Sequence, residues 1–375
     1  MDIPFFKKDS LAKGLALFKK KGQSVLGIDL GSSSFKLVQL RREREQAILE
    51  TYGELASGPY ASQEVGKSVR LVDQKVFGML QDVMKEANVS ASHAVFSIPL
   101  RSSFVKVFSL PLMSAKELEE AVPFEARKYI PVPIGEVQLD WWVLPEGIAT
   151  QSEKEEGFMK ERKYQDILLV AIHREVIEKY RKIAEGVKFT VHTFEIEVFS
   201  QVRAALSREI APVLLADLGA QSTRFTVVDY GVVRLTHTLE RGAAELTDTL
   251  SRSLGIDFER AERLKREIGL SSRPEHKEIL GVIEPLLDYT FSEGARVALE
   301  YRRRSQRAIK RVWLLGGGAL LKGITEFSIN KFGLEARQVH PFSRVEYPAF
   351  LEPVLKEIGP SFCTSLGAAL RALQE

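Results

Sequence analysis

The residues best suited to chemistry lie in two polar turns of matching design. The first, Asp29-Leu30-Gly31-Ser32-Ser33-Ser34, ends an apolar run at Val25 and Leu26 and opens an alternating one at Phe35, Leu37, Val38 and Leu40. The second, Asp217-Leu218-Gly219-Ala220-Gln221-Ser222-Thr223, lies between Leu214-Leu215 and Phe225-Thr226-Val227-Val228. Both read strand, tight polar turn, strand. A glycine triplet, Gly316-Gly317-Gly318, then follows the apolar strand Val312-Trp313-Leu314-Leu315.

Glycine and small hydroxyl residues let backbone N–H groups approach phosphate oxygens closely, and a turn that points several amides inward makes an anion nest. Asp29 and Asp217 are each suited to hold Mg²⁺ through water, because Mg²⁺ keeps most of its hydration shell. Two such hairpins on two related domains would clamp a triphosphate between them. Taken singly, each turn also reads as an ordinary hairpin built on Asp, Gly and Ser. The pair, with the triplet in order, favours phosphate binding. The triplet itself fails the dinucleotide fingerprint, since the third glycine of G-x-G-x-x-G would fall at Leu321. It offers instead a side-chain-free surface for a base and sugar. Ala61-Ser62-Gln63-Glu64-Val65-Gly66-Lys67-Ser68 fits a relaxed Walker A pattern. The stretch before it carries Gly58-Pro59 rather than a buried strand, so the match reads as chance in a loop.

The elements that must position these turns are those of a mixed α/β chain. Strands are expected over 24–42, 93–98, 104–110, 137–144 and 167–172, and helices over 73–88, 174–185, 245–254 and 258–268, with a long one reaching about Gln306. Ser114-Ala115-Lys116-Glu117 is a capping box that opens a helix toward Tyr129, stopped by Pro131 and Pro133. The polar run from Glu146 to Lys163 reads as an exposed loop, and Thr364 to Leu373 as a closing helix. Between the two phosphate turns, the block from 101 to 190 reads strand, helix, strand, strand, helix, as a small module inserted into the first domain.

At 375 residues, 45% hydrophobic and 27% charged, the chain has room for two domains or more. Its net charge of +3 is too small to argue for nucleic acid. The basic cluster from Arg302 to Arg311 precedes an apolar strand and reads as a helix end, where cations suit the macrodipole. A single cysteine, Cys363, excludes an intramolecular disulfide framework and a cysteine zinc site. The scattered histidines have no metal-ligand spacing, and no Ser/His/Asp order supports a triad. No apolar run approaches a membrane span and no signal-peptide region is present, which points to the cytoplasm. Residues 1–23 interleave Phe5, Phe6, Leu11, Leu15 and Phe18 with lysines. That composition suits either a basic amphipathic helix on anionic lipid or a solvated tail.

Taken together, these residues resemble the actin/Hsp70/FtsA superfamily of ATPases and, within it, the PilM family of type IV pilus assembly. The resemblance covers nearly everything from Ser24 onward. It implies an actin-like fold of duplicated ribonuclease-H-like domains with an inserted FtsA/PilM-type subdomain. The first domain would comprise 24–100 and 191–210, the insertion 101–190, and the second domain 211–375 with a subdomain at about 243–305. It implies ATP and Mg²⁺ as ligands. Gly31, Ser32, Ser33, Ser34 and Lys36 correspond to the first phosphate motif, and Gly219, Ala220, Gln221, Ser222 and Thr223 to the second. Gly242, Glu262, Lys265, Gly316, Gly317 and Gly318 correspond to nucleoside-binding positions. Glu197 sits where relatives often carry a carboxylate near the attacking water.

The stretch Phe124-Glu125-Ala126-Arg127-Lys128-Tyr129-Ile130-Pro131-Val132-Pro133, followed by Glu136 to Trp141, is similar to one typical of the PilM family. The end of the chain at Gln374-Glu375 carries no amphipathic tail of the FtsA kind. One departure is Gly242-Ala243 where the superfamily has paired glycines. The extra methyl group crowds the ribose–phosphate edge, so slow hydrolysis is expected. The resemblance further implies a partner, the N-terminal cytoplasmic tail of a PilN-like inner-membrane protein, lying in the groove between insertion and first domain. Phe104, Val105, Val107, Trp141 and Trp142 are the apolar candidates there. Other pilus assembly proteins would join, at the cytoplasmic face of the inner membrane, with residues 1–22 as a further membrane contact and self-association open. A filament-forming cytoskeletal ATPase and a small-molecule kinase remain as alternatives.

Overall fold

The computed structural model of the chain describes residues 24–144, 164–207 and 209–374. The basic segment 1–23 and the polar run 146–163 lie outside the described residues. From the first apolar run, strands β1 (Ser24–Leu30) and β2 (Ser34–Glu43) pair antiparallel around the first polar turn, and β3 (Gln46–Ala56) continues the meander. Helix α1 (Asp73–Glu86) follows, then β4 (His93–Ile98), which runs parallel to β1. Alternation sorts the side chains of β1. Leu26 and Ile28 face the α1 residues Val76, Met79, Leu80 and Val83, which share one helical face. Val25 faces the opposite core.

The chain then leaves the first sheet. β5 (Ser103–Pro111), α2 (Ala115–Ala126), β6 (Val137–Val143) and β7 (Tyr164–His173) form a three-stranded antiparallel sheet in the order β5-β7-β6 with α2 against it. The capping box is present in full: the Glu117 N–H donates to Ser114 Oγ, and the Ser114 N–H to the Glu117 carboxylate at 2.7 Å. The helix ends at Ala126 rather than near Tyr129, unwinding over one turn before Pro131. Helix α3 (Arg174–Gly186) turns its Ile177, Tyr180 and Ile183 onto Phe96 and Phe194 of the first sheet. β8 (Thr190–Ile196) completes that sheet in the order β3-β2-β1-β4-β8, and α4 (Glu197–Ala205) follows.

The second half repeats the plan. β9 (Val213–Leu218), β10 (Thr223–Asp229) and β11 (Val232–Leu239) form the meander, and β12 (Arg311–Leu315) and β13 (Glu335–Gln338) add in parallel, in the order β11-β10-β9-β12-β13. Helices α5 (Ala243–Leu254), α6 (Phe258–Ile268) and α7 (Lys277–Ser305) lie between β11 and β12. Arg302, Arg303 and Arg304 occupy the last turn of α7. Beyond it, Arg307 pairs with the buried Asp229 and Arg311 with Glu335, each at 2.8 Å. The second sheet packs on α7 through Phe225 and Phe291, edge to face at 6.3 Å. Helices α8 (Ile324–Phe332), α9 (Glu352–Ile358) and α10 (Cys363–Gln374) close the chain.

α10 joins the halves. Every residue from Cys363 to Ala372 is buried, and the core around Leu366 and Ala369 takes in Val25, Val38 and Val95 of the first sheet with Val213, Leu215 and Leu315 of the second. Glycines set the spacing. A Cβ at Gly27 on β1 would lie 2.0 Å from Ser365 O, and one at Gly367 would lie 1.9 Å from Ser200 O on α4. Backbone therefore meets backbone on both sides of this helix.

Two glycine substitutions separate that packing from helix propensity. Gly367→Ala must push α4 and α10 apart and should cost about 3 kcal/mol, at the upper end of overpacking effects. Gly78→Ala in α1 meets nothing within 4 Å and should gain up to about 1 kcal/mol from helix propensity. Denaturant unfolding of the two variants checks both signs.

Candidate functional site

Between the halves lies a cleft of about 480 Å³, and every residue singled out for phosphate, nucleoside or metal binding, or for catalysis, lines it: both turns, Asp29, Asp217, Lys36, Glu197, Gly242, Glu262, Lys265 and the triplet. The two turns are copies at the level of strand register. Asp29 stands opposite Lys36 across β1 and β2, and Asp217 opposite Arg224 across β9 and β10. Each aspartate thus has a cation seven residues on, brought alongside by the hairpin. Each turn also closes too tightly for a side chain at its glycine. A Cβ at Gly31 would lie 2.7 Å from Ser34 O, and one at Gly219 would lie 2.8 Å from Ser222 O.

The triplet reaches the second turn because β12 runs parallel to β9, with Leu315 beside Asp217. Gly316 has φ +81°, and a Cβ there would sit 2.5 Å from Asp217 Oδ1. A Cβ at Gly317 would meet nothing. Gly242 caps α5 against the turn, where a Cβ would lie 2.4 Å from Ala220 O. The N–H groups of Ala243 and Ala244 donate to Gly219 O and Ala220 O at 2.9 and 3.0 Å. On α6, Glu262 and Lys265 form an ion pair at 2.6 Å. Lys265 also donates to Ala243 O at 3.0 Å and to Thr247 Oγ1 at 2.8 Å, tying α6 to the start of α5. Burial opposes ionisation of Glu262, but Lys265, Thr247 and Arg266 outweigh it and hold the carboxyl below its ordinary value.

Three carboxylates gather at the floor. Glu197, the first residue of α4, accepts from the Leu100 N–H at 2.6 Å and pairs with Arg224 at 2.8 Å. Asp217 pairs with Arg224 at 3.0 Å and accepts from Gln201 at 2.8 Å. Asp29 accepts from Ser97 Oγ at 3.2 Å. One buried guanidinium serves two of them, and its Nε is buried without a partner among the described residues. Negative charge is in excess. Burial pushes the Asp29 carboxyl up to about 7, with Glu197 and Asp217 adding to the rise and Lys36 opposing it. Burial likewise raises Glu197, against the pull of Arg224.

These features fit an anionic ligand accompanied by a hydrated divalent cation. The turns, each closed too tightly for a side chain at its glycine, line the cleft with backbone and small hydroxyl groups, and the three floor carboxylates share a single buried guanidinium. Among the described residues no group of three or more His, Cys, Asp or Glu side chains is arranged to hold a metal ion. A metal here would be completed by water and phosphate oxygens, the usual habit of Mg²⁺.

Sequence reasoning missed several neighbours. Arg224 directly follows the second turn, and the recurrence of a cation seven residues after the aspartate is the signal that finds it. Arg101 enters from the first half and donates to Gln221 in the second turn. The segment from Ser57 to Val69 hangs from the first turn, its end amides donating to Ser33 O and Ser32 O at 2.9 Å. It crosses the cleft mouth, where Lys67 pairs with Asp248 of α5 at 3.1 Å and lies 4.1 Å over the Phe258 ring of α6. The Walker-like match lies in this segment. β3 precedes it as a sheet edge and no α-helix follows until α1, so it is no P-loop. Its Gly66 nonetheless lines the cleft.

A family model described as type IV pilus assembly protein PilM matches residues 27–373. Among curated proteins, cell division protein FtsA of Streptococcus pneumoniae is 26% identical over 205 residues. That match spans 49% of this chain and 45% of the relative, less than half its length. Among solved structures, a chain of a PilM-PilN type IV pilus biogenesis complex aligns with a TM-score of 0.76 at 24% identity, covering 94% of this chain and 99% of that one. MreB5 of Spiroplasma citri bound to AMPPNP aligns with a TM-score of 0.53 at 10% identity, covering 93% and 95%. The fold is the actin-like one: two copies of a five-stranded α/β unit, here with an additional three-stranded sheet.

Asp29 gives the cleft a pH signature. Folded, its carboxyl keeps a proton up to about 7, against an ordinary value of 3.8. Between those values the folded state binds more protons than the unfolded one, so this group makes stability fall as pH rises. Asp29→Asn removes the slope. Relative to the parent, the variant should gain a few degrees in unfolding midpoint between about pH 4 and about pH 8, since each tenfold difference in proton affinity between folded and unfolded chain is worth about 1.4 kcal/mol at most. A difference between the two proteins that does not change with pH would contradict the assignment.

Proposed function

The chain belongs to the PilM family of type IV pilus assembly proteins, and on that footing we propose that it is an actin-like clamp for Mg-ATP. Its partner is the cytoplasmic N-terminal tail of a PilN-like inner-membrane protein. The observation that carries the nucleotide reading is the meeting of two register-matched Asp-Leu-Gly turns and a glycine triplet in one cleft. In this reading Gly31 to Ser34 with Lys36, and Gly219 to Thr223, cradle the phosphates. Gly242, Glu262, Lys265 and Gly316 to Gly318 receive the nucleoside. Asp29 and Asp217 hold Mg²⁺ through water, and the ion neutralises phosphate charge when bound. The first domain comprises 24–100 and 191–210, with 101–190 inserted and α3 returning the chain to that domain's core. The second comprises 211–375.

The nucleotide serves as a switch rather than as fuel. A general base must be within hydrogen-bond reach of its proton and able to accept it. Glu197 Oε1 is already engaged by the Leu100 N–H and Arg224, and Ala243 stands where paired glycines would leave more room. Both features support slow hydrolysis.

The partner reading rests on the three-stranded sheet and on the PilN named in the similar complex. β6 is an edge strand, and an extended peptide can add to such an edge or lie in a groove beside it. Of the apolar candidates, Phe104 and Trp141 pack partly on the core of this sheet, and Val105, Val107 and Trp142 on that of the first half. Leu112, Phe124, Tyr129, Val143 and Tyr164 are the exposed large apolar side chains nearby. No helix among the described residues is long and apolar enough to cross a membrane. In this reading the chain reaches the inner membrane through its partner.

Asp29→Ala and Asp217→Ala should each weaken Mg-ATP binding by about 1–3 kcal/mol, the scale for losing a charged hydrogen-bonding group. Calorimetric titration tests this, and unchanged affinity in both would remove the nucleotide site. Steady-state phosphate release should stay well under the enzyme median of about 10 per second; a faster rate contradicts the switch. A fluorescent PilN-tail peptide should bind the full chain and a deletion of residues 2–22 alike. Binding lost with that deletion, yet kept after substitutions along the inserted sheet, would make the basic segment the recruiting element.

A further inference from the structure

Four residues, Pro99 to Ser102, carry the chain from β4 of the first sheet into β5 of the inserted one, the last three coiled as a single short helical turn. Two side-chain ties fix that turn to opposite walls of the cleft. The Leu100 N–H donates to Glu197 Oε1 at 2.6 Å, within the first half. The Arg101 guanidinium donates to Gln221 in the second phosphate turn, across the cleft. The turn is equally tied to the sheet it enters: Ser103, buried and first in β5, donates through its hydroxyl to Leu100 O at 3.0 Å. A hydrogen-bonded path thus runs from the second phosphate turn through Arg101 into β5.

The charges single out Arg101. Lys36, Arg224, Arg241, Lys265 and Arg266 also line the cleft, and each is paired with a carboxylate, while Lys322, which follows the glycine triplet rather than facing a phosphate turn, donates to Glu267 O at the end of α6 at 2.8 Å. The Arg101 side chain is exposed and meets a neutral amide instead. A guanidinium–phosphate contact joins opposite charges and can be bidentate, whereas the contact with Gln221 offers the guanidinium only a neutral acceptor, so an anion arriving beside Gln221 competes effectively for this side chain. We propose that Arg101 is a positioning residue that reads the terminal phosphate of the bound nucleotide and passes its presence to the inserted sheet through β5. The proposal deepens the nucleotide reading above and rests on it. Loss of the terminal phosphate returns Arg101 to Gln221, and the entry turn and β5 relax with it. The inserted sheet is the proposed docking surface, so this path gives the switch its output.

The test compares ATP and ADP, each with Mg²⁺, on the full-length parent, Arg101→Ala and Arg101→Lys. The parent should bind ATP roughly tenfold more tightly than ADP, the worth of one charge-assisted contact. In Arg101→Ala the ratio should fall to about one with ADP affinity within about twofold of the parent's, and Arg101→Lys should restore part of it. Amide hydrogen exchange supplies the second readout: ATP, and not ADP, should slow exchange over Val105 to Leu110 in the parent, and Arg101→Ala should abolish that slowing. An ATP-to-ADP ratio and a β5 response both retained in Arg101→Ala overturn the proposal, as does an equal loss of both nucleotides. If the parent binds neither nucleotide, the underlying nucleotide reading fails instead.

Discussion

Three carboxylates and one buried guanidinium meet where the two halves of the chain face each other, and this imbalance of charge organises the site. Asp217 and Glu197 come from different halves and are joined by Arg224, whose side chain is almost wholly buried between them. Burial pushes the Asp29 carboxyl up to about 7 against the pull of Lys36, with Glu197 and Asp217 adding to the rise. A buried charge is tolerated only when paired or neutralised. In the proposed reading a cation takes the place of the Asp29 proton, and the two turns on either side receive the anion that accompanies it.

Holding that floor together demands a rigid connection between two similar sheets. α10 provides it by packing without side-chain spacers against β1 on one side and α4 on the other, at Gly27 and Gly367. The same helix borders the cleft through Cys363 and Thr364, and α4 presents Glu197. The packing core and the charged floor thus share their elements. In the proposed switch, a ligand acting on the floor would act on helices packed backbone to backbone.

The local parts of this design were legible in the sequence. The turns announce themselves by Asp-Leu-Gly between alternating apolar runs, and most strands and helices follow from period and capping. What was not legible is non-local or irregular. β3 escaped because a bulge interrupts its alternation: Gln39 pairs with Thr51 and Leu40 with Leu49, leaving Glu50 over. β8 hides in the same way, with His192 left over between Val191 and Thr193. The strap from Ser57 to Val69 has no period to read, and its role depends on Asp248 and Phe258 far along the chain. Arg101 lies just past the strand at 93–98 with no local signal of its own; only the fold brings it to Gln221. Arg224 was within reach, since the spacing from Asp29 to Lys36 repeats from Asp217 to Arg224.

The central claim is that the two turns close on one nucleotide. A crystal structure of the full chain grown with Mg²⁺ and a non-hydrolysable ATP analogue tests it most directly. Phosphate density is predicted between Gly31–Ser34 and Gly219–Ser222, with the base and sugar against Gly316–Gly318 and an ion near Asp29 and Asp217. An analogue bound elsewhere, or a cleft free of density at saturating ligand, would contradict the account.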